Sequence, residues 1–154
     1  MAAKKRTAPD AADGKAAVFT RQLEYQTGEE LDLVNVTEDV VRAVAESGIA
    51  HGTATVFVPG ATGAVTCLEY EPGVISDFKA ALERIAPRGL PYDHNVYQGD
   101  GNGHSHVRAG MLGPSLTVPV IGGELNLGVW QSIVLVNLDN RRRNRRLTIQ
   151  LVGF

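Results

Sequence analysis

The chain has 154 residues, 44% of them hydrophobic and 21% charged, with a formal net charge of -2. That length suits one domain with its own core. The small negative charge gives no general attraction to nucleic acid or anionic membrane, and no apolar run approaches the roughly 20 residues needed to span a bilayer.

Residues 1–16 have a basic start with no apolar stretch behind it, so they do not read as a secretory signal and are expected to be a disordered tail ahead of a domain over 17–154. AAVFTRQLEYQT (16–27) alternates and predicts a strand, and ELDLVNV (30–36) a second, shorter one. TEDVVRAVAESG (37–48) has helical spacing, with Val40, Val41, Val44 and Ala45 on one side, Thr37 as N-cap and Gly48 as stop. IAHGTATVFV (49–58) is β-branched and strand-like, and His51 at its start reads as structural. PGATG breaks it and AVTCLEYE (64–71) resumes as a strand. Cys67, the single cysteine, reads as a small buried hydrophobe rather than a reactive thiol. It excludes an internal disulfide framework, so the cell interior, the cytoplasm, is the expected compartment.

PGVISDFKAALERIAPRG (72–89) predicts the clearest helix, with Val74, Phe78, Ala81, Leu82 and Ile85 on its apolar face and Pro87 as its stop. LPYDHNVYQGDGNGHS (90–105) reads as a long irregular segment, of the kind that often carries function. SHVRAGMLG (105–113) fits a short helix closed by Gly113 better than an alternating strand. PSLTVPVIGGELNLGVWQSIVLVNLD (114–139) reads as a strand, a Gly-Gly turn, then one long strand or two, with Trp130 in the core. NRRRN is a turn and RRLTIQLVGF the last strand. The expected fold is α+β: a single compact domain of mostly antiparallel or mixed sheets, packed with two main helices and a short one.

Three of the four histidines, His94, His104 and His106, lie in or beside the glycine-rich stretch GDGNG. Imidazole is the commonest nitrogen ligand for zinc and related ions, so one reading is a metal site. His104 and His106 share a face if the segment is extended, and the start of a helix favours neutral imidazole, so ligation is compatible with either form. The alternative is a polar loop whose histidines are solvated or hydrogen-bonded. Glu69 and Glu71 share a face if LEYEP is a strand, and a carboxylate there could complete coordination or act as a general base. GDGNG could cradle an anion on its amides but fits no Walker or dinucleotide pattern. In DNRRRNRR, Arg141, Arg142, Arg143, Arg145 and Arg146 form a local anion patch or a solvated turn. The run is short and lacks interleaved aromatics, so nucleic acid is not an expected partner.

EYEPG, YDHN, DGNGHSHVRAGMLGPSLTVPV and GELNLGVWQSIVLVNLDNRRRNRR, in this order and spacing, resemble the YjbQ-like family, also described as secondary thiamine-phosphate synthases. The resemblance runs from about residue 17 to the C-terminus. It implies a compact α+β fold, a homotrimer and a divalent metal at the histidine site, zinc first and magnesium as the alternative. It also implies a weak transferase activity that couples hydroxymethylpyrimidine diphosphate to a thiazole phosphate with release of pyrophosphate. It puts the family's motif histidines on His94 and His106, its glutamate on Glu69, its basic partner on Arg108 and its tryptophan-glutamine pair on Trp130 and Gln131. Many members carry H-T-[ST]-A where this chain reads Gly60-Ala61-Thr62-Gly63, and an asparagine where it has Leu68. His104 is then a candidate substitute, as ligand or as hydrogen-bond partner. The resulting expectation has His94, His104 and His106 on the metal, with Glu69 and His106 catalytic. Arg108, Gln131 and Arg143 would bind a small phosphorylated metabolite. The competing expectation is a phosphometabolite- or metal-binding protein without turnover.

Overall fold

Alternation along the longest strands builds one sheet, and a strand apolar on both sides builds the other. The computed structural model describes residues 14–154. The tail expected over 1–16 lies, through residue 13, outside the described residues. These form β1 (Ala17–Thr27), β2 (Asp32–Asn35), α1 (Thr37–Ser47), β3 (His51–Phe57), β4 (Gly63–Leu68) and α2 (Pro72–Ile85). There follow α3 (Asp93–Gln98), α4 (Gly103–Leu112), β5 (Ser115–Ile121), β6 (Glu124–Leu125), β7 (Ser132–Asn137) and β8 (Arg143–Gly153). The first sheet has the order β1-β8-β3-β5-β6 and the second β2-β7-β4, with every pairing antiparallel. The α+β expectation therefore holds.

On β8, Leu147, Ile149 and Leu151 point inward, while Arg146, Gln150 and Val152 face out. The inner residues meet Ala54 and Val56 of β3, Ile133 and Leu135 of β7, and Val40, Ala43 and Val44 of α1 in the main core. Strand β7 is buried on both faces, which is why it reads as an unbroken apolar run. Its other side chains, Val134 and Val136, form a second core with Leu82 and Phe78 of α2 and Ala109 of α4. Each fully buried Val, Leu or Ile contributes about 1.5–3 kcal/mol. The second core thus seats α2 and α4 on the small sheet and places the histidine segment at its edge.

Several expectations need correction. Helix α1 buries Val40, Ala43 and Val44 and leaves Val41 and Ala45 exposed, because the stripe that packs into the main core runs through Val40, Ala43 and Val44. Thr37 lies one residue inside the helix. Its hydroxyl bonds Asn35 Oδ1 and accepts from the Ile133 amide instead of capping. Helix α2 is capped by Glu71, whose carboxylate accepts from the Gly73 and Val74 amides; Ile85 is exposed and Cys67 half-buried. The segment expected to be irregular contains α3. Trp130 lies in a turn before β7 and is 71% exposed, so it is not a core residue.

Candidate metal centre

The histidine segment folds as two short helices around a glycine turn. His94 stands in the first turn of α3, Asp100 in the connection and His106 on α4. The connection is tight because the Asn95 carboxamide accepts from the Gly103 amide at 2.8 Å. A Cβ on Gly103 would lie 2.4 Å from the Tyr92 Cβ, so α4 can start this close to Tyr92 only with glycine there.

This fold brings together His94, Asp100 and His106. Each offers a donor atom within 4.8 Å of the others. The two imidazoles face each other with ring centroids 4.2 Å apart, and His94 Nε2 is 3.4 Å from Asp100 Oδ1. Asn102 is buried beside them and turns its amide nitrogen towards them. With its nitrogen inward it donates to Asp100 Oδ1 at 2.8 Å and to His94 Nε2 at 3.2 Å. Burial and the neighbouring His94 charge hold the His106 imidazole below its ordinary 6.5, against the opposing pull of Asp100 and Asp139. A depressed value favours the neutral ring that binds metal.

His106 lies between two cavities. One, about 400 Å³, is polar and is lined in part by Asp100, Asn102, His106, Asp139, Arg143 and Arg145. The other, about 290 Å³, has Ala61, Ala109, Gly110 and Pro114 among its lining residues. In the polar cavity Asp139 is wholly buried. Its Oδ2 accepts from Thr62 Oγ1 at 3.0 Å and Arg143 Nε at 2.7 Å, and its Oδ1 has no hydrogen-bond partner. Burial pushes the Asp139 carboxyl up, but the bonds from Arg143 and Thr62 outweigh it and hold it below the usual value, so it is ionised. Arg145 is buried against Thr62 and Asn137 Oδ1. Gly60 forms the rim at φ +116, where a Cβ would stand 3.2 Å from Arg145 Nη1. A histidine at this position would strain this backbone and crowd that guanidinium.

The sequence-predicted residues divide. His94, His106 and Arg143 reach this site. His104 does not join the cluster: its ring is fully buried, with Nε2 2.9 Å from Glu30 Oε1. Two residues apart on a helix point about 200° apart, so His104 and His106 cannot face one ion, and the expectation that a helix would serve as well as a strand was mistaken. Arg108 is also fully buried, paired with Glu30 and Glu83 and bonded to the Ala86 carbonyl, with no surface to offer a ligand. Glu69 is exposed just past β4 and lines neither cavity beside His106. Gln131 accepts from the Gly128 amide at 2.7 Å and borders grooves along α1 and β5 instead. Asp139 was not foreseen as a site residue, whereas Asp100 and Asn102 lie in the stretch read as an anion cradle and Arg145 in the arginine run read as an anion patch.

The comparisons with known proteins bear on the fold and the family. The family model described as UPF0047 protein YjbQ-like matches residues 21–154. A UPF0047 protein of Methanothermobacter thermautotrophicus is 39% identical over 136 residues, 88% of this chain and 93% of its own. One from Mycobacterium bovis is 43% identical over 114 residues, 71% of this chain and 88% of its own. The crystal structure of a YbjQ-like protein of unknown function from Sulfolobus solfataricus superposes with a TM-score of 0.87 at 31% identity, covering 91% of this chain and all of that one.

Proposed function

The chain belongs to the YjbQ-like UPF0047 family, and from that premise we propose that it binds a phosphorylated small metabolite through a divalent cation held by His94, Asp100 and His106. The observation that carries this reading is the convergence of two imidazoles and a carboxylate, two of them, Asp100 and His106, lining a cavity together with Arg143 and Arg145. Two nitrogens and one oxygen suit zinc with a position left open, and suit magnesium, which prefers oxygen throughout, less well. A bound cation would neutralise phosphate charge there. The guanidinium of Arg143, anchored by Asp139 on one edge, presents its remaining donors to the same anion. On the other side of His106 the less polar cavity accommodates an uncharged ring. The ligand therefore has a phosphorylated end and an apolar end.

The finer reading is the thiamine-phosphate synthase reaction, in which the diphosphate of hydroxymethylpyrimidine leaves as the thiazole phosphate bonds to its methylene carbon. Both substrates have the required two-ended character, and the cation and arginines would stabilise the departing pyrophosphate. The second reading, binding without turnover, is favoured by one observation: the rim at Gly60 carries no imidazole. Product formation from the two precursors, with His106→Ala as control, separates them. For the binding reading itself, metal analysis after zinc loading is expected to give one ion per chain, lost in His106→Ala. Unchanged stoichiometry in that variant would contradict the site.

The homotrimer is proposed on the same family ground. The outer face of the five-stranded sheet exposes Val18, Phe57, Ile121 and Val152 among threonines, a surface an assembly would cover. Sedimentation at three times the chain mass would support it, and a monomer would refute it.

A further inference from the structure

Glu30 takes no part in the proposed binding, yet it is the hub of a buried polar network beneath the site. It lies in the connection between β1 and β2. Its carboxylate accepts from Arg108 Nη1 of α4 at 2.6 Å and stands 2.9 Å from His104 Nε2 of the same helix and 3.5 Å from Arg88 Nη1. Arg108 extends the network into the C-terminal end of α2, through Nε to the Ala86 carbonyl at 2.9 Å and through Nη2 to Glu83. Helix α4 is thus fastened along the side opposite His106.

The backbone that delivers Glu30 is held in an uncommon shape. Leu31 has φ 58, the one positive value outside glycine among the described residues. A residue with a side chain adopts this conformation only where its surroundings impose it. Here Leu31 N donates to the Asn137 carbonyl at 2.8 Å, and Asn137 Nδ2 donates to the Gly28 carbonyl at 2.9 Å. Asn137 Oδ1 in turn accepts from Arg145, a wall of the polar cavity. One asparagine therefore ties the turn to the arginine side of the site, while Glu30 ties it to the helix that carries His106.

We propose that Glu30 is a positioning residue: through Arg108 and His104 it sets the seat of α4, and so the aim of His106 at His94 and Asp100. The geometry is sensitive. A 20° roll of a helix moves an atom about 6 Å from its axis by about 2 Å, enough to separate rings whose centroids stand 4.2 Å apart. This inference rests on the proposed cation site, and its test includes a readout that needs no metal.

In Glu30→Gln the side chain keeps its shape and loses the charge that pairs with Arg108. In the metal-free protein, the proton NOE between the His94 and His106 rings is expected to weaken severalfold against wild type. With Co²⁺ as probe, affinity is expected to fall about tenfold or more, the range seen when a group that orients a ligand is removed, and the d–d absorption band to change shape. Glu83→Gln, altering a half-exposed partner of the same Arg108, is expected to leave both readouts near wild type. Should Glu30→Gln fail to fold, Glu30→Asp keeps the charge with a shorter reach and is read the same way. A wild-type NOE, Co²⁺ affinity and spectrum in the folded variant, with only thermal stability reduced, would overturn the inference. Failure of the wild-type chain to bind Co²⁺ would overturn the cation reading instead, and the ring NOE would still decide the role of Glu30.

Discussion

The two faces of α4 handle ionisable groups in opposite ways. On one, His104 and Arg108 are fully buried and closed off by carboxylates of the same chain, Glu30 and Glu83. On the other, His106 opens onto cavities and meets His94 and Asp100, three side chains with donor atoms within reach of one another. His104 and Arg108 are four residues apart and share a face, whereas His104 and His106 are two apart and do not. The Arg108 guanidinium and His104 Nε2 meet carboxylates of the same chain and hold the fold in place, while His104 Nδ1 is buried without a partner. Ligand atoms gathered from three side chains beside a cavity are placed to take a partner from outside.

This contrast can be broken by substitution on either face. The largest effect is expected at Arg108→Ala, which leaves Glu30 buried without its main partner and should cost about 3–5 kcal/mol of unfolding free energy. Urea denaturation measures it, and a loss comparable to a surface substitution would erase the difference between the faces. His106→Ala should reverse the pattern, with stability changed by about 1 kcal/mol or less and zinc affinity lowered about a hundredfold or more, equivalent to about 2.7 kcal/mol, by calorimetric titration. His104→Gln keeps an amide donor for Glu30, so zinc affinity should stay within about threefold of wild type. A loss matching that of His106→Ala would make His104 a ligand after all.

The smallest effect is on pH dependence. Because the folded protein holds His106 below its ordinary 6.5, the unfolded chain binds its proton first as pH falls. Stability therefore declines as pH drops from 6.5 towards the depressed value, and this dependence is absent above that window. Urea unfolding of the metal-free protein between pH 7.5 and 5 should show a shallower decline in His106→Ala than in wild type. In the same window protons compete with zinc, so wild-type affinity should fall together with stability.

Much of the architecture was legible because it depends on local pattern. The alternation in β1, β3 and β8 and the apolar run of β7 each report how many faces are buried, and Gly113 marks the end of α4. The site was legible in part. His94 and His106 stand out as rare imidazoles flanking a glycine turn, and Arg143 as part of a charge run. What pattern could not supply was direction and distant partners. Whether His104 joins His106 depends on helix or strand geometry, and its actual partner, Glu30, comes from the other end of the domain. Arg108 looked available for an anion because nothing near it in sequence shows the carboxylates that close around it. Asp139 ends a buried apolar run, and its place in the cavity follows from the arginines that β8 folds back over it. Trp130 has a core residue's composition and a turn residue's position.

The central claim is that His94, Asp100 and His106 hold one cation between α3 and α4. Anomalous diffraction from zinc-grown crystals, recorded above and below the zinc edge, tests it most directly. The account predicts one strong peak per chain within coordination distance of all three side chains and none at His104. A peak bonded to His104, or a zinc-replete crystal with no peak among the three, would contradict it.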